Sequence, residues 1–281
     1  MPLRSRGVEP SNVVPGTGEG LSVPPGHPLA ADLALALDLA DAAAEVTRRA
    51  FGGRQVVRLK ADATPVTEVD AEAEQVIRDL LRERRPADGF CGEEGGETPG
   101  TSGRTWVVDP IDGTQMFAEG IPLWSTLIGL KVRDAVVVGV ADAPALGERY
   151  HAVRGNGAFC NGQPIGVSTV SDMGEALVLH APLEEFIRKT GLPAITRVSE
   201  GSRVTRGIGD GWAHLLVARG AADALVEQGP CYEWDWAATS VIVSEAGGSL
   251  TRLEGGTPTP GCHLLVSNGL LDGEIRQTLL L

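Results

Sequence analysis

Between Pro28 and Arg84 apolar positions recur at helical spacing in two segments. "PLAADLALALDLADAAAEVTRRAF" (28–51) is rich in Ala and Leu and carries Arg48 and Arg49 near its end, which predicts a helix. "DAEAEQVIRDLLRER" (70–84) sets Val76, Ile77, Leu80 and Leu81 on one face, a second helix with Asp70 in its first turn. The period then shortens to two. "TWVVD" (105–109), "WSTLIGLKV" (124–132) and "AVVVGVAD" (135–142) read as strands, the last two joined by a tight turn at Arg133-Asp134. "HAVRGNGAFCNGQPIGVS" (151–168) is punctuated by glycine and contains the hairpin pair Asn161-Gly162. Strands and helices then alternate. "EALVLH" (175–180) is followed by a short helix, then "GWAHLLVARG" (211–220) as helix and "ADALVEQ" (222–228) as strand. "DWAATSVIVSEAGG" (235–248) is a helix stopped by Gly247-Gly248, and "HLLVSNG" (263–269) with a short final helix ends the chain.

This order predicts layered sheets and helices in two halves, 28–165 and 166–281, of either the α/β or the α+β class. Residues 1–27 lack periodicity and are rich in Pro, Gly and Ser, so they read as a flexible tail; an ordered arm lying over a partner subunit is the alternative. A length of 281 residues suits two domains or one large layered unit.

Composition adds exclusions. At 42% hydrophobic residues the chain can bury a substantial core. A net charge of −13 argues against nucleic acid or an anionic membrane surface as partner, although a bound cation can reverse the sign locally for a small phosphorylated ligand. Cys91, Cys160, Cys231 and Cys262 show no metal or redox spacing and read as free thiols. No signal peptide or membrane-length apolar run is visible, so a cytoplasmic location is expected.

The candidate chemistry lies in the carboxylates. In "WVVDPIDGT" (106–114) an apolar strand ends on Asp109, Pro110 turns the chain, and Asp112 follows. Two acids in one turn repel each other unless a cation lies between them. With the Ile111 carbonyl they offer three hard oxygens, suited to Mg²⁺, and Gly113-Thr114 lets backbone amides approach an anion. The alternative is a capped turn in which Asp112 only starts a helix. "CGEEGGE" (91–97) places Glu93 and Glu94 in a glycine-flanked turn, either a ligand loop or a solvated acidic one. Asp70 in "VTEVD" (66–70) and Asp235 in "EWDWAA" (233–238) stand at helix starts, where an acid also favours the helix dipole.

Taken together, "VTEVD", "GEE", "WVVDPIDGT" and "WDWAA", in this order and at these separations, resemble the inositol monophosphatase superfamily over residues 30–275. The resemblance implies an α-β-α-β-α layered sandwich, a homodimer, and Mg²⁺-dependent phosphomonoester hydrolysis with two or three metals per site. Mn²⁺ would substitute and Li⁺ would inhibit. By the same resemblance Glu93, Asp109 and the Ile111 carbonyl hold one metal, while Asp109, Asp112 and Asp235 hold a second. Asp70 assists a further metal or its water. Thr114, near Glu93, orients and deprotonates the attacking water, and the Gly113 and Thr114 amides hold phosphate.

"GIPLWSTLIGL" (120–130) and "SRVTRGIGDGWAHLLVARGAAD" (202–223) are similar to the bacterial histidinol-phosphatase branch, which makes L-histidinol phosphate the expected substrate. Inositol 1-phosphate, another small phosphate ester or a catalytically silent metal-binding scaffold are the alternatives. Asp210 either meets a cationic substrate or caps its helix, Glu227 is the candidate for a second substrate-contacting acid, and Arg206 either faces phosphate or pairs with Asp210. Gln115, Met116 and a 227–235 segment one residue longer than usual depart from the branch's pattern and bear on specificity alone.

Overall fold

A computed structural model of the chain describes residues 23, 24, 26–60 and 65–280. The first half runs α1 (Ala30–Ala50), β1 (Arg58–Leu59), β2 (Pro65–Val66), α2 (Glu68–Arg84), β3 (Gly89–Gly92), β4 (Gly96–Thr98), β5 (Arg104–Asp112), α3 (Thr114–Ala118), β6 (Ser125–Val132), β7 (Ala135–Ala143), β8 (Glu148–Val153), β9 (Ala158–Cys160) and β10 (Gln163–Ile165). The second runs β11 (Leu177–His180), α4 (Leu183–Thr190), α5 (Leu192–Gly201), β12 (Val204–Gly207), α6 (Asp210–Ala218), β13 (Ala224–Cys231), α7 (Glu233–Glu245), β14 (Ser249–Arg252), β15 (Cys262–Ser267) and α8 (Asp272–Leu280). Eight strands form one sheet in the order β10-β9-β8-β7-β6-β5-β3-β4, and five form another, β12-β11-β13-β15-β14.

Strand alternation sorts the core into layers. Ile128 and Leu130 of β6 and Val138 and Val140 of β7 face outward onto α1 and α2, where they meet Leu33, Leu39, Ile77 and Leu81. Leu127 and Ala141 point the other way, onto α6 and α7, which also cover Leu225 and Val266 of the second sheet. The far face of that sheet carries Val178, Val226 and Leu265 against Phe186, Ile195 and Ile275 of α4, α5 and α8. The result is the expected α-β-α-β-α sandwich.

Helix α7 can lie deep in the middle layer because Gly129 and Gly139 face each other across β6 and β7. A Cβ on Gly139 would fall 2.3 Å from the Ala238 carbonyl, and one on Gly129 would fall 3.1 Å from the Ala237 Cβ. That close approach aims the amino end of α7 at the end of β5.

Several expectations change. Of the tail expected at 1–27, residues 1–22 and 25 lie outside the described residues. Its described end is anchored, with Val23 buried against α1 and the His27 ring 3.1 Å from the Asn156 amide. Pro110 does not end the strand: β5 continues to Asp112 through a register shift against β6, and Thr126 Oγ1 donates to the Pro110 carbonyl at 2.8 Å. The expected short helix after residue 180 is two, α4 and α5, and β12 and β14 are strands that the hydrophobic pattern does not predict.

Candidate active site

The amino ends of α2, α3, α6 and α7 converge on the carboxyl end of β5, the edge where layered α/β sheets bind ligands. In α2, Thr67 and Asp70 form a capping box: Asp70 Oδ2 accepts from the Thr67 amide at 2.9 Å and from its hydroxyl at 2.6 Å. The cap fixes the carboxylate, which is fully buried. Its other oxygen lies 3.0 Å from Thr114 Oγ1. That hydroxyl is also 2.9 Å from the Ile111 carbonyl, so it donates to one or the other. Thr114 thus lies between Asp70 and the Ile111 carbonyl. Burial raises the Asp70 carboxyl, against the lowering effect of its Thr67 and Thr114 hydrogen bonds.

Gly113 starts the turn into α3 with φ +83°, and a Cβ there would meet the Leu123 carbonyl at 3.0 Å. Phe117 pins α3 from below, edge-on to Trp124 at 5.0 Å, with Phe51 completing the aromatic cluster.

Asp109, Asp112 and Asp235 form the core of the site. Each commits one oxygen to a local anchor. Asp109 Oδ1 accepts from the Ile111 amide at 3.0 Å. Asp112 Oδ2 accepts from the Gly211 amide at 2.8 Å and Ser125 Oγ at 3.1 Å. Asp235 Oδ2 accepts from the Tyr232 amide at 2.6 Å, closing the first turn of α7. Burial, then the charges of Glu93, Asp112 and Asp235, push the Asp109 carboxyl well up, and Glu93 also hydrogen-bonds to it. Burial raises Asp112 in the same way, followed by Asp210, Asp235 and Glu227. Asp235 is raised by burial and by Glu93, Glu227 and Asp210, against its Tyr232 amide.

These residues fit a hard divalent cation. Among the described residues no three acidic, histidine or cysteine side chains already stand as a metal cage. Yet each of the three aspartates keeps a second oxygen beyond its anchor, and their mutual repulsion is the condition a cation would relieve. Glu93 meets a cation of the chain itself: Lys60 Nζ donates to Glu93 Oε1 at 2.7 Å and to Glu94 Oε1 at 2.6 Å. Burial and the neighbouring Glu93 push Glu94 up to about 7, against the Lys60 contact.

Two residues opposite the Gly113 turn complete the cluster. Asp210 adopts φ +64°, and its Oδ2 lies 3.4 Å from where a Gly113 Cβ would sit. It is the first residue of α6, after the N-cap Gly209. Its amide donates to Glu227 Oε1 at 2.9 Å. The long 227–235 segment is absorbed as an irregularity in β13, whose pairing with β15 shifts register between Glu227 and Cys231. Arg206 lies on the outer strand β12, exposed, with Nη1 donating to the Thr205 carbonyl at 2.8 Å.

Three residues escape a sequence reading. Lys60 is a lone lysine before a short strand. His214 sits mid-helix. Glu74 follows Asp70 by one helical turn, a spacing that could have flagged it as sharing a face. Its buried carboxylate accepts from the Glu94 amide at 2.9 Å, the Gly95 amide at 2.8 Å and Arg78 Nε at 2.8 Å. It thereby holds the Glu93 turn against α2.

Residues 29–279 match the model of the inositol monophosphatase family. The histidinol-phosphatase of Chlorobaculum parvum is 42% identical over 218 residues, 77% of this chain and 84% of that protein. The histidinol-phosphatase of Mycobacterium tuberculosis is 40% identical over 254 residues, 88% of this chain and 97% of that protein. Inositol monophosphatases follow at lower identity. Among solved structures, the extragenic suppressor protein suhB from Bartonella henselae superposes with a TM-score of 0.83 at 29% identity, covering 89% of this chain and 98% of that one. Site geometry and matches agree: the chain belongs to the inositol monophosphatase family, and with it to the phosphoric monoester hydrolases.

Proposed function

We propose that the chain is a Mg²⁺-dependent phosphomonoesterase whose substrate is L-histidinol phosphate. The observation that carries the reaction is the grouping of Asp109 with Glu93, Asp112 and Asp235, close enough to raise one another, with Asp70 bonded to Thr114 beside them. Glu93, Asp109, Asp235, Asp112 and the Ile111 carbonyl would hold the metals, with Asp70 at the margin. Magnesium, when bound, supplies positive charge that neutralises phosphoryl oxygens and acidifies water. The protein's own part is positional. The Gly113 and Thr114 amides receive the phosphate. The Thr114 hydroxyl, 3.0 Å from Asp70 Oδ1, orients the attacking water and passes its proton toward that carboxylate. Water serves as the nucleophile without a covalent phosphoenzyme: burial and the charges of Glu227 and Asp235 push the nearby Cys231 thiol well up, which keeps it protonated and unreactive.

The substrate reading rests on Asp210 and Glu227. The Asp210 carboxylate stands against the phosphate turn and Glu227 is bonded to its amide, a pair suited to a substrate carrying an ammonium group close to its phosphate ester. The two histidinol-phosphatases at 40–42% identity support the same choice. Gln115 and Met116, on α3 beside the turn, are where the preference could be tuned further.

The test is Mg²⁺-dependent phosphate release from L-histidinol phosphate, inositol 1-phosphate, fructose 1,6-bisphosphate and 3′-phosphoadenosine 5′-phosphate, with Asp109→Asn as blank. L-Histidinol phosphate should lead by tenfold or more in kcat/KM, about 1.4 kcal/mol of transition-state preference. A lead by inositol 1-phosphate would overturn the substrate and keep the reaction. Release no faster than the blank would overturn both.

A further inference from the structure

We infer that His214, backed by Thr239, is a positioning residue that fixes Glu227 as the acceptor for the substrate's cationic group. The inference rests on the substrate reading above and assigns its selectivity to side chains that never touch substrate. His214 is 1% exposed, in the layer between the two sheets. Both ring nitrogens are engaged: Nε2 lies 2.6 Å from Glu227 Oε2, and Nδ1 lies 2.8 Å from Thr239 Oγ1. An ionised carboxylate only accepts, so Nε2 donates to Glu227, and Thr239 Oγ1 is the partner of Nδ1. That hydroxyl has one proton to give, either to Nδ1 or, at 3.3 Å, to the Trp236 carbonyl.

The chain of contacts spans three elements. Thr239 belongs to α7, which carries Asp235; His214 belongs to α6, which begins at Asp210; Glu227 belongs to β13. The second Glu227 oxygen is held by the Asp210 amide at 2.9 Å. Both oxygens are thus oriented from behind, each with a lone pair left for a ligand, and the side chain keeps 12% of its surface open. Burial would raise the Glu227 carboxyl, but the His214 contacts and the Asp210 amide outweigh it and leave it below the usual range. The amide that holds Glu227 belongs to a residue at φ +64°, a left-handed conformation uncommon outside glycine. Simple filling of the middle layer would need only an apolar ring. An imidazole locked between a hydroxyl and a carboxylate specifies where that carboxylate points.

The experiment compares His214→Phe, His214→Gln and Thr239→Val with the parent on two esters: L-histidinol phosphate, and glycerol 2-phosphate, which lacks the amine. In His214→Phe the ratio of kcat/KM for the amine ester to that for glycerol 2-phosphate should fall at least tenfold. The fall should come from KM for the amine ester, with kcat changing less than threefold. His214→Gln, whose side-chain amide can still donate to Glu227, should recover at least a third of the parent ratio. Thr239→Val should lower the ratio about threefold, and it carries the test if His214→Phe does not fold. Equal losses on both esters would assign His214 a structural role only and overturn the inference, as would an unchanged ratio. A parent protein with no preference for the amine ester would instead sink the substrate reading, and the inference with it.

Discussion

Asp109→Asn is expected to stabilise the metal-free protein while abolishing its activity. The substitution keeps shape and keeps an oxygen to accept from the Ile111 amide, now 3.0 Å from Oδ1. The new amide can donate to Glu93, which already hydrogen-bonds to Asp109 and raises its carboxyl. What is lost is one buried charge facing Glu93, Asp112 and Asp235. Replacing uncompensated buried charge by a neutral group of equal volume gains about 1–4 kcal/mol. In a chain of this size each kcal/mol moves the transition by roughly 2–4 °C, so the midpoint in EDTA should rise by roughly 2–16 °C. In excess Mg²⁺ the order should reverse, because the parent gains the linkage term of a bound ion and the variant does not. Thermal unfolding followed by circular dichroism, in EDTA and in Mg²⁺, reads both effects, with phosphate release alongside. A variant that melts below the parent in EDTA would refute the picture of mutually repelling carboxylates. One that keeps the parent's Mg²⁺ response would refute Asp109 as a ligand.

Two further outcomes follow from the same geometry. A carboxyl raised in the folded state binds its proton more tightly there than in the unfolded chain, so its contribution is complete below about pH 4 and is lost as pH rises through the raised value. For Glu94 that window runs from 4.5 to about 7, and Asp109, Asp112 and Asp235 shift in the same direction. In EDTA the parent's melting midpoint should therefore fall relative to that of Asp109→Asn between pH 5 and pH 8; a constant difference would contradict the raised values. Glu74→Gln should cost about 1–3 kcal/mol in urea unfolding, since it leaves the nearly buried Arg78 without its charged partner. It should also raise the Mg²⁺ concentration for half-maximal activity roughly 10- to 100-fold by loosening the Glu93 turn. An unchanged Mg²⁺ requirement would limit Glu74 to a stabilising role.

What could be read from the chain, and what could not, divides by the range of the interaction. The helices α1, α2 and α7 and the strands β5, β6 and β7 follow from local periodicity, because each buries one face against a neighbouring layer. The acids at 109 and 112 stand out because they follow an apolar run in which solvated carboxylates have no place. Pro110 misleads for a related reason. Proline removes a ladder donor, but the bond that keeps the ladder going is donated by Thr126, sixteen residues away, to the Pro110 carbonyl. Lys60 and His214 carry no local pattern, and Glu74 only its one-turn spacing from Asp70: their partners lie 33, 20 and 13 residues along the chain at Glu93, Glu94 and Glu227. Arg206 shows the opposite error, an arginine near Asp210 in sequence that the outer strand carries to the surface.

The long-range contacts also explain why the site holds together. Buried like charges drive a structure apart unless something fixes each of them. Here Asp70 and Asp235 are bonded within the first turns of α2 and α7, and Asp112 by the Gly211 amide of α6. Those helix ends also bring positive dipole ends toward the cluster, an attraction that falls off within one turn. Such anchoring holds one oxygen of each aspartate and leaves the other oriented toward the cluster. A family that needed carboxylates only to cap helices would place them at the surface, where a cap costs nothing in desolvation. Burying Asp70, Asp109 and Asp112 together makes sense as the electrostatic condition for capturing a cation, and with it the phosphate that the acidic surface would otherwise repel.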